Sequence, residues 1–248
     1  MLQCPYCQAS ERQIKAGHNR AGSQHFQCRS CDRHYTPEPL PNGYPDEVRV
    51  QAIRLYLEGT NFRRIGRLLA VNHQSVVNWV NAYHARLLPP QGVAKPETVE
   101  LDELYSFIGS KKKPVYLATA VDRATRCIVG WCVVWERTTE ALQLMLDASP
   151  PAARYFSDGF HTYLDLCYWG AHAVAPGKSE TYSVEGTNAD LRHYLARLQR
   201  SSRCFSRCIH ALRRAVELFI HFYNQRQLRK RARPQYPAHI IDPLPIRV

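Results

Sequence analysis

Three acidic residues, Asp102, Asp158 and Glu185, have the types and surroundings needed for metal-dependent chemistry. Asp102 lies in an apolar run typical of a β-strand, Asp158 ends a short strand-like run before Gly159, and Glu185 begins a helical pattern. Each alone would more often be an ordinary surface acid, so the prediction depends on their occurring together. Carboxylate oxygens are the preferred ligands of hard cations, and the set predicts a site for two Mg²⁺ or Mn²⁺ ions that supports phosphoryl transfer.

The elements that must position these acids are predicted over residues 99–225. A three-stranded meander, a helix, two more strands and a long helix are typical of a ribonuclease-H-like (RNase H-like) α/β domain. In such a sheet the first and fourth strands are neighbours, so Asp102 and Asp158 should meet, with Glu185 closing over both. The predicted strands are 99–107, 115–121, 127–135, 154–157 and 171–175, and the helices are 138–146 and the segment from 183.

Other charged residues in this segment are given lesser roles. Asp122 suits a turn with Arg123 and is the weaker candidate for a metal ligand. The acids predicted to be peripheral are Glu100, Glu103, Asp165, Glu180 and Asp190. A final amphipathic helix is predicted to begin near residue 201 and to precede a basic tail at 226–248. Its basic face, free for DNA, comprises Arg203, Arg207, Arg213 and Arg214.

Two Cys-Xaa2-Cys pairs near the start of the chain predict a second metal site. Each spacing lets a tight turn present two sulfurs to one tetrahedral ion. Large apolar residues are scarce around the pairs, so a metal must replace the missing core, and residues 1–37 are predicted to be a zinc ribbon with structural Zn²⁺. A redox role is disfavoured because no βαβ pattern surrounds the pairs. The four ligands are Cys4, Cys7, Cys28 and Cys31.

Residues 44–86 carry three short amphipathic periods typical of an all-α helix-turn-helix domain, and a proline-containing linker follows at 87–98. In the third predicted helix, the side chains of Gln74, Ser75 and Asn78 lie on the outer face, where they could contact base edges. Arginines of the second period could meet backbone phosphates, namely Arg63, Arg64 and Arg67. A three-helix module with no DNA role has the same periodicity and remains an alternative.

Charge and hydropathy favour a nucleic-acid partner. The formal net charge is +12, and the basic excess lies toward both ends, around a nearly neutral middle segment. Positive charge flanking an acidic metal site suits double-stranded DNA, although a solvated basic face is the simpler alternative. The sequence shows no signal-peptide pattern and no apolar run of membrane-spanning length, so we expect a cytoplasmic protein with no membrane partner.

The chain resembles the IS1-type insertion-sequence transposases of the DDE superfamily. The resemblance is carried by ELDELYSFIGSKKKPVYLATAVDR, YFSDGFHTY and SVEGTNADLRHYLARLQRSSRCFSR, together with the two N-terminal modules. It implies that Asp102, Asp158 and Glu185 form the metal-binding triad. It also implies a DNA-positioning role for Arg192, two turns beyond Glu185, and Asn188 shares that helix face.

The resemblance further implies a DNA transposase of the bacterial or archaeal nucleoid. Such an enzyme would bind the terminal inverted repeats and target DNA, cleave 3′ ends and transfer the strands, acting as at least a homodimer. Two alternatives stay open. One is a zinc-ribbon and helix-turn-helix repressor with an inactive nuclease-like domain. The other is a nuclease or resolvase that only hydrolyses DNA.

Overall fold

The computed structural model describes residues 2–39, 43–87, 95–176, 179–200 and 204–235. The chain divides into two compact units, Met1–Asp46 and Glu47–Val248. No helix in the described ranges is long and apolar enough to cross a membrane. Parts of three predictions lie outside the described residues, namely 88–94 of the linker, Arg203 of the basic face and 236–248 of the basic tail.

The first unit is a small antiparallel sheet with almost no apolar interior. Its strands follow the order β1-β2-β3. The buried cluster contains two aromatic rings, Phe26 and Tyr35, with Cys4 and Cys28. So few apolar side chains cannot hold a fold without a further crosslink, as the sequence predicted. The strands are β1 (Gln13–His18), β2 (Gln24–Cys28) and β3 (His34–Tyr35).

The second unit begins with three short helices, as predicted. Asn61 caps the second helix by accepting from the Arg64 N–H, and Asn72 caps the third by accepting from the Gln74 N–H. Gly59 ends the first helix at a positive φ of 86°, and a Cβ there would collide with the Tyr194 carbonyl. The helices are α1 (Asp46–Leu57), α2 (Phe62–Leu68) and α3 (His73–Ala85).

A five-stranded mixed sheet forms the centre of the second unit, in the order β6-β5-β4-β7-β8. The first three strands are antiparallel, whereas β7 pairs in parallel with both β4 and β8. The predicted adjacency of the first and fourth strands of this segment is therefore confirmed. The strands are β4 (Thr98–Phe107), β5 (Pro114–Asp122), β6 (Ile128–Val134), β7 (Arg154–Ser157) and β8 (Ala171–Val174).

Helices cover both faces of this sheet. Leu142 and Leu146 pack with Val99 and Leu101 on one face, and Leu104 belongs to the cluster on the other. Because strand side chains alternate between faces, odd positions of β4 point toward α4 and α5, and even positions point toward α6 and α7. The helices are α4 (Thr139–Asp147), α5 (His161–Leu164), α6 (Tyr182–Tyr194) and α7 (Ile209–Ala232).

The three N-terminal helices share one hydrophobic core with α6 and α7. Ile53 and Val76 belong to the same buried cluster as Leu191 and Leu212. Polar contacts reinforce the packing, since His84 Nε2 lies 2.7 Å from Glu217 Oε2. A single packed unit therefore joins the predicted DNA-reading helices to the elements around the acidic residues.

The last helix differs from its prediction at both ends. It begins at Ile209, so Phe205 precedes it and packs against Phe107 with ring centroids 5.4 Å apart. It continues to Ala232, so part of the predicted basic tail is helical. Arg213 is exposed, yet its Nη2 donates to the Val133 carbonyl at 2.9 Å, so its guanidinium is not wholly free for DNA as expected.

Candidate active site

The carboxylates of Asp102 and Asp158 meet where β4 and β7 cease to be paired. The parallel register ends with Glu100 opposite Phe156, so both aspartates lie just beyond it on neighbouring strands. Carboxylate oxygens of Asp102, Glu103 and Asp158 lie within 4.8 Å of one another. Oxygens bound to one hard cation at about 2.1–2.5 Å lie no more than about 5 Å apart. These three side chains can therefore contribute ligands to one cation.

Two hydrogen bonds orient Asp102. Asn188 on α6 is buried and donates from Nδ2 to Asp102 Oδ2 at 2.8 Å, and the Glu103 N–H donates to Oδ1 at 2.7 Å. Thr119 on β5 donates to Asn188 Oδ1 at 3.2 Å and thereby fixes the amide orientation. Burial raises the pKa of Asp102, the two hydrogen bonds oppose the rise, and the charges of Asp158 and Glu185 add to it.

Asp158 is exposed and lies in a hydrogen-bonded turn. Its Oδ1 accepts from the Phe160 N–H at 3.0 Å, and its carbonyl accepts from the buried Ser157 hydroxyl at 2.9 Å. The same hydroxyl lies 2.9 Å from His172 Nε2 on β8, and burial lowers the pKa of His172. The turn therefore presents one exposed acid while the groups beneath it are buried or hydrogen-bonded.

Glu103 is the residue that sequence reasoning missed. It was predicted to be peripheral, yet its carboxylate belongs to the acidic group, and its buried Oε1 has no hydrogen-bond partner among the described residues. Burial raises the pKa of Glu103 to about 7. The charge of Arg137 and the nearby Tyr163 hydroxyl, as a hydrogen-bond donor, oppose this rise, and the charges of Asp158 and Asp102 add to it. Its place directly after Asp102 was visible in the sequence, but its burial was not.

Glu185 stands in the first turn of α6, where it is half-buried. Thr181 Oγ1 lies 3.5 Å from its Oε1. Among the described residues it is outside the group whose ligand atoms lie within 4.8 Å. Its negative charge nevertheless helps to raise the pKa of Asp102.

Glu100, also predicted to be peripheral, is fully buried and holds the start of α6. Its Oε2 accepts from the backbone N–H groups of Ser183 at 2.7 Å and Val184 at 2.9 Å. Its Oε1 accepts from Arg123 Nε at 2.6 Å. The residue before α6, Thr181, makes no side-chain capping bond, so Glu100 satisfies these N–H groups from the neighbouring strand.

Two other predicted residues have defined partners. Arg192 is half-buried, and its Nη1 donates to the Leu198 carbonyl at 3.1 Å. Burial and the charge of Arg200 lower its pKa, and the charge of Asp102 opposes them. Asp122 accepts from the Thr125 N–H at 3.0 Å, which matches the turn role expected for it.

The four cysteines of the first unit converge on one point. All four Sγ atoms lie within 4.8 Å of one another, and two pairs, Cys4 with Cys31 and Cys7 with Cys28, are 3.6 Å apart. Sulfurs bound at about 2.3 Å to a tetrahedral ion would lie about 3.8 Å apart. A hydrogen bond from Gln13 lowers the pKa of Cys28 to about 6, although burial opposes it. The donor set therefore fits Zn²⁺.

The predicted DNA contacts of α2 and α3 lie on the surface. Gln74 and Asn78 are exposed, and Gln74 Nε2 donates a hydrogen bond to Asn78 Oδ1 at 3.1 Å. Ser75 is half-exposed. The three arginines predicted for phosphate contacts are all exposed, namely Arg63, Arg64 and Arg67. Polar and basic side chains thus cover the outer face of this helix pair.

Comparison with known proteins agrees with the geometry. Residues 97–226 match the family described as IS1 transposase, and residues 47–95 match one described as putative ATPase subunit of terminase (gpP-like). The chain is 31% identical over 112 residues to the insertion element IS1 protein InsB of Shigella flexneri, which covers 44% of this chain and 83% of that protein. It is also 30% identical over 112 residues to the insertion element IS1 2 protein InsB of Escherichia coli (strain K12). That match covers 44% of this chain and 65% of the relative, just under two thirds of its length.

Solved structures are more distant. The HTLV-2 integrase catalytic core domain in complex with magnesium (trimeric form) shares 12% identity, with coverage of 60% of this chain and 81% of that one. The TM-score of this comparison is 0.32.

Proposed function

The chain belongs to the IS1 transposase family, and from that membership we propose that it is a DDE transposase with an RNase H-like catalytic domain. It would bind the terminal inverted repeats of its insertion sequence, cleave the 3′ ends and join them to target DNA. The observation that carries the proposal is the meeting of Asp102, within β4, and Asp158, directly after the end of the neighbouring strand β7. Both lie in the same domain as the α6 helix that bears Glu185.

Asp102, Asp158 and Glu185 are the proposed metal-binding triad. Bound Mg²⁺ or Mn²⁺ would supply Lewis-acid activation of the attacking oxygen and stabilisation of the leaving oxygen. Asn188 keeps Asp102 oriented, the Phe160 N–H holds Asp158, and Glu100 fixes the start of α6. These contacts within the chain would hold the acids in place for metal and phosphate and so reduce reorganisation during the reaction.

DNA recognition is assigned to the α2–α3 pair as a helix-turn-helix. Gln74, Ser75 and Asn78 would contact base edges, and the exposed arginines of α2 would contact phosphates. Replacement of Gln74 by Ala should therefore weaken preference for the terminal repeat more than general duplex affinity. Replacement of Arg64 by Ala should lower affinity for all duplexes and reduce its salt dependence. Equal losses on both DNAs for both variants would contradict this division.

Zn²⁺ is assigned to the four cysteines as a structural ion. Arg192 is proposed to position DNA beside the acidic group, since it lies on the same helix as Glu185 and near enough to Asp102 to feel its charge. Two element ends must be brought together before joining, so the active complex is proposed to contain at least two copies of the chain.

The decisive experiment follows both strands of a labelled donor carrying the element's ends. With Mg²⁺, the wild-type chain should yield covalently joined donor and target strands. Variants Asp102→Asn, Asp158→Asn and Glu185→Gln should lose at least about a thousandfold of this activity while still binding the ends. Glu136→Gln, which alters an exposed acid of the same domain, is the control with a small expected loss. Cleavage without joining would indicate a hydrolytic nuclease, and binding without cleavage would indicate a repressor.

A further inference from the structure

We propose that Glu103 is a further acidic ligand of the catalytic cation, that it binds with Asp102 and Asp158, and that Tyr163 positions its carboxylate. The inference rests on the proposed function, since it concerns the same acidic group. It adds to the triad a residue from the opposite face of the sheet.

Asp102 and Glu103 are adjacent on β4, so their side chains leave opposite faces of the sheet, toward α6 and toward α5. At this point β4 has passed the end of its pairing with β7, and the strand edge is open. Both carboxylates reach this edge, where their oxygens and those of Asp158 lie within 4.8 Å.

Tyr163 on α5 is the second feature that points to a ligand at Glu103. Its side chain is fully buried, and no hydrogen bond of ordinary length joins its hydroxyl to a described residue. The hydroxyl faces Glu103 and, as a hydrogen-bond donor, lowers the pKa of that carboxyl. This one long contact leaves both buried groups short of hydrogen bonds, and a bound species that held Glu103 in place would supply what is missing.

A cation would complete the arrangement. It offsets the repulsion among three acids that burial otherwise makes unfavourable. Once Glu103 is held in its ionised form, the Tyr163 hydroxyl can donate to it and fix its rotamer. Arg137 offsets this repulsion only in part: its charge lowers the pKa of Glu103, which nevertheless stays raised to about 7, and its guanidinium lies over the Phe160 ring, with Cζ 3.9 Å from the ring centroid.

The test measures Mn²⁺ binding to the zinc-loaded full chain. Electron paramagnetic resonance reports the concentration of free Mn²⁺, from which the bound fraction is obtained. Glu103→Gln should weaken Mn²⁺ binding about tenfold or more, as Asp102→Asn should. Glu103→Asp keeps the charge but shortens its reach, and it should weaken binding also. Glu136→Gln, an exposed acid of the same domain, is the control that should bind as wild type. Tyr163→Phe should give a smaller loss than Glu103→Gln.

The outcomes separate this inference from the function on which it rests. If Asp102→Asn loses Mn²⁺ while Glu103→Gln binds as wild type, Glu103 is not a ligand and the transposase proposal stands. If Glu103→Asp binds as wild type, Glu103 acts only through its charge and direct ligation is refuted. If the wild-type chain binds no Mn²⁺, both proposals fail. Urea unfolding of each variant, read by tryptophan fluorescence, establishes that a loss of binding is not a loss of fold.

Discussion

The most discriminating single change is Glu100→Gln, because Glu100 links the catalytic strand to the helix that carries Glu185. Three donors converge on its carboxylate, namely Arg123 Nε and the N–H groups of Ser183 and Val184. Glutamine offers one acceptor oxygen, and its amide NH₂ would face a donor whichever way it turns. At least one buried donor therefore loses its partner in the variant.

The expected loss is about 3–5 kcal/mol, the cost typical of breaking a buried ion pair from one side. The neighbouring pair of Glu97 and Arg154 supplies the matched control, because its atoms are also 2.6 Å apart. The two pairs differ in burial, since the Glu97 side chain is 75% exposed and that of Glu100 is 0% exposed. Glu97→Gln should therefore cost no more than about 1 kcal/mol.

Urea unfolding monitored by tryptophan fluorescence measures both values. All four tryptophans, Trp79, Trp131, Trp135 and Trp169, lie in the second unit, so the signal is separate from the cysteine-bearing unit. Glu100→Gln should lower the midpoint by about 2 M urea. If its midpoint equals that of Glu97→Gln, Glu100 does not hold α6, and the structural argument for a preformed site is refuted.

Three further results are expected. Metal analysis of the wild-type protein should find about one Zn²⁺ per chain. Cys28→Ser should lose this Zn²⁺, whereas the control Cys167→Ser, which alters an exposed free cysteine, should retain it. Asn188→Ala should reduce Mn²⁺ affinity and strand joining about tenfold, because Asp102 loses its orienting hydrogen bond; unchanged affinity would refute this role. In metal-free buffer the unfolding free energy of the second unit should fall as pH rises from about 4.5 to about 7, by no more than about 3 kcal/mol for Glu103. In that pH window the Glu103 carboxyl, whose pKa is raised in the folded state, binds its proton more tightly in the folded than in the unfolded state. Glu103→Gln should therefore remove this part of the pH dependence.

The sequence alone predicted the local elements and the two sets of candidate metal ligands. Asn61 and Asn72 begin helices because their short side chains accept from N–H groups within their own turn. The two Cys-Xaa2-Cys pairs predicted one convergent site because each pair is presented by its own turn. Strand order placed Asp102 beside Asp158, since a meander followed by a crossover leaves few choices of neighbour.

Tertiary structure alone decided the roles of the two other acids of β4. Glu100 and Glu103 appear as ordinary strand carboxylates in the sequence, where nothing indicates what covers each face of the sheet. The folded chain places the α6 N-terminus over Glu100 and Tyr163 beside Glu103. Burial and the partners brought by distant segments determine what a carboxylate does, and both arise only when the helices pack on the sheet.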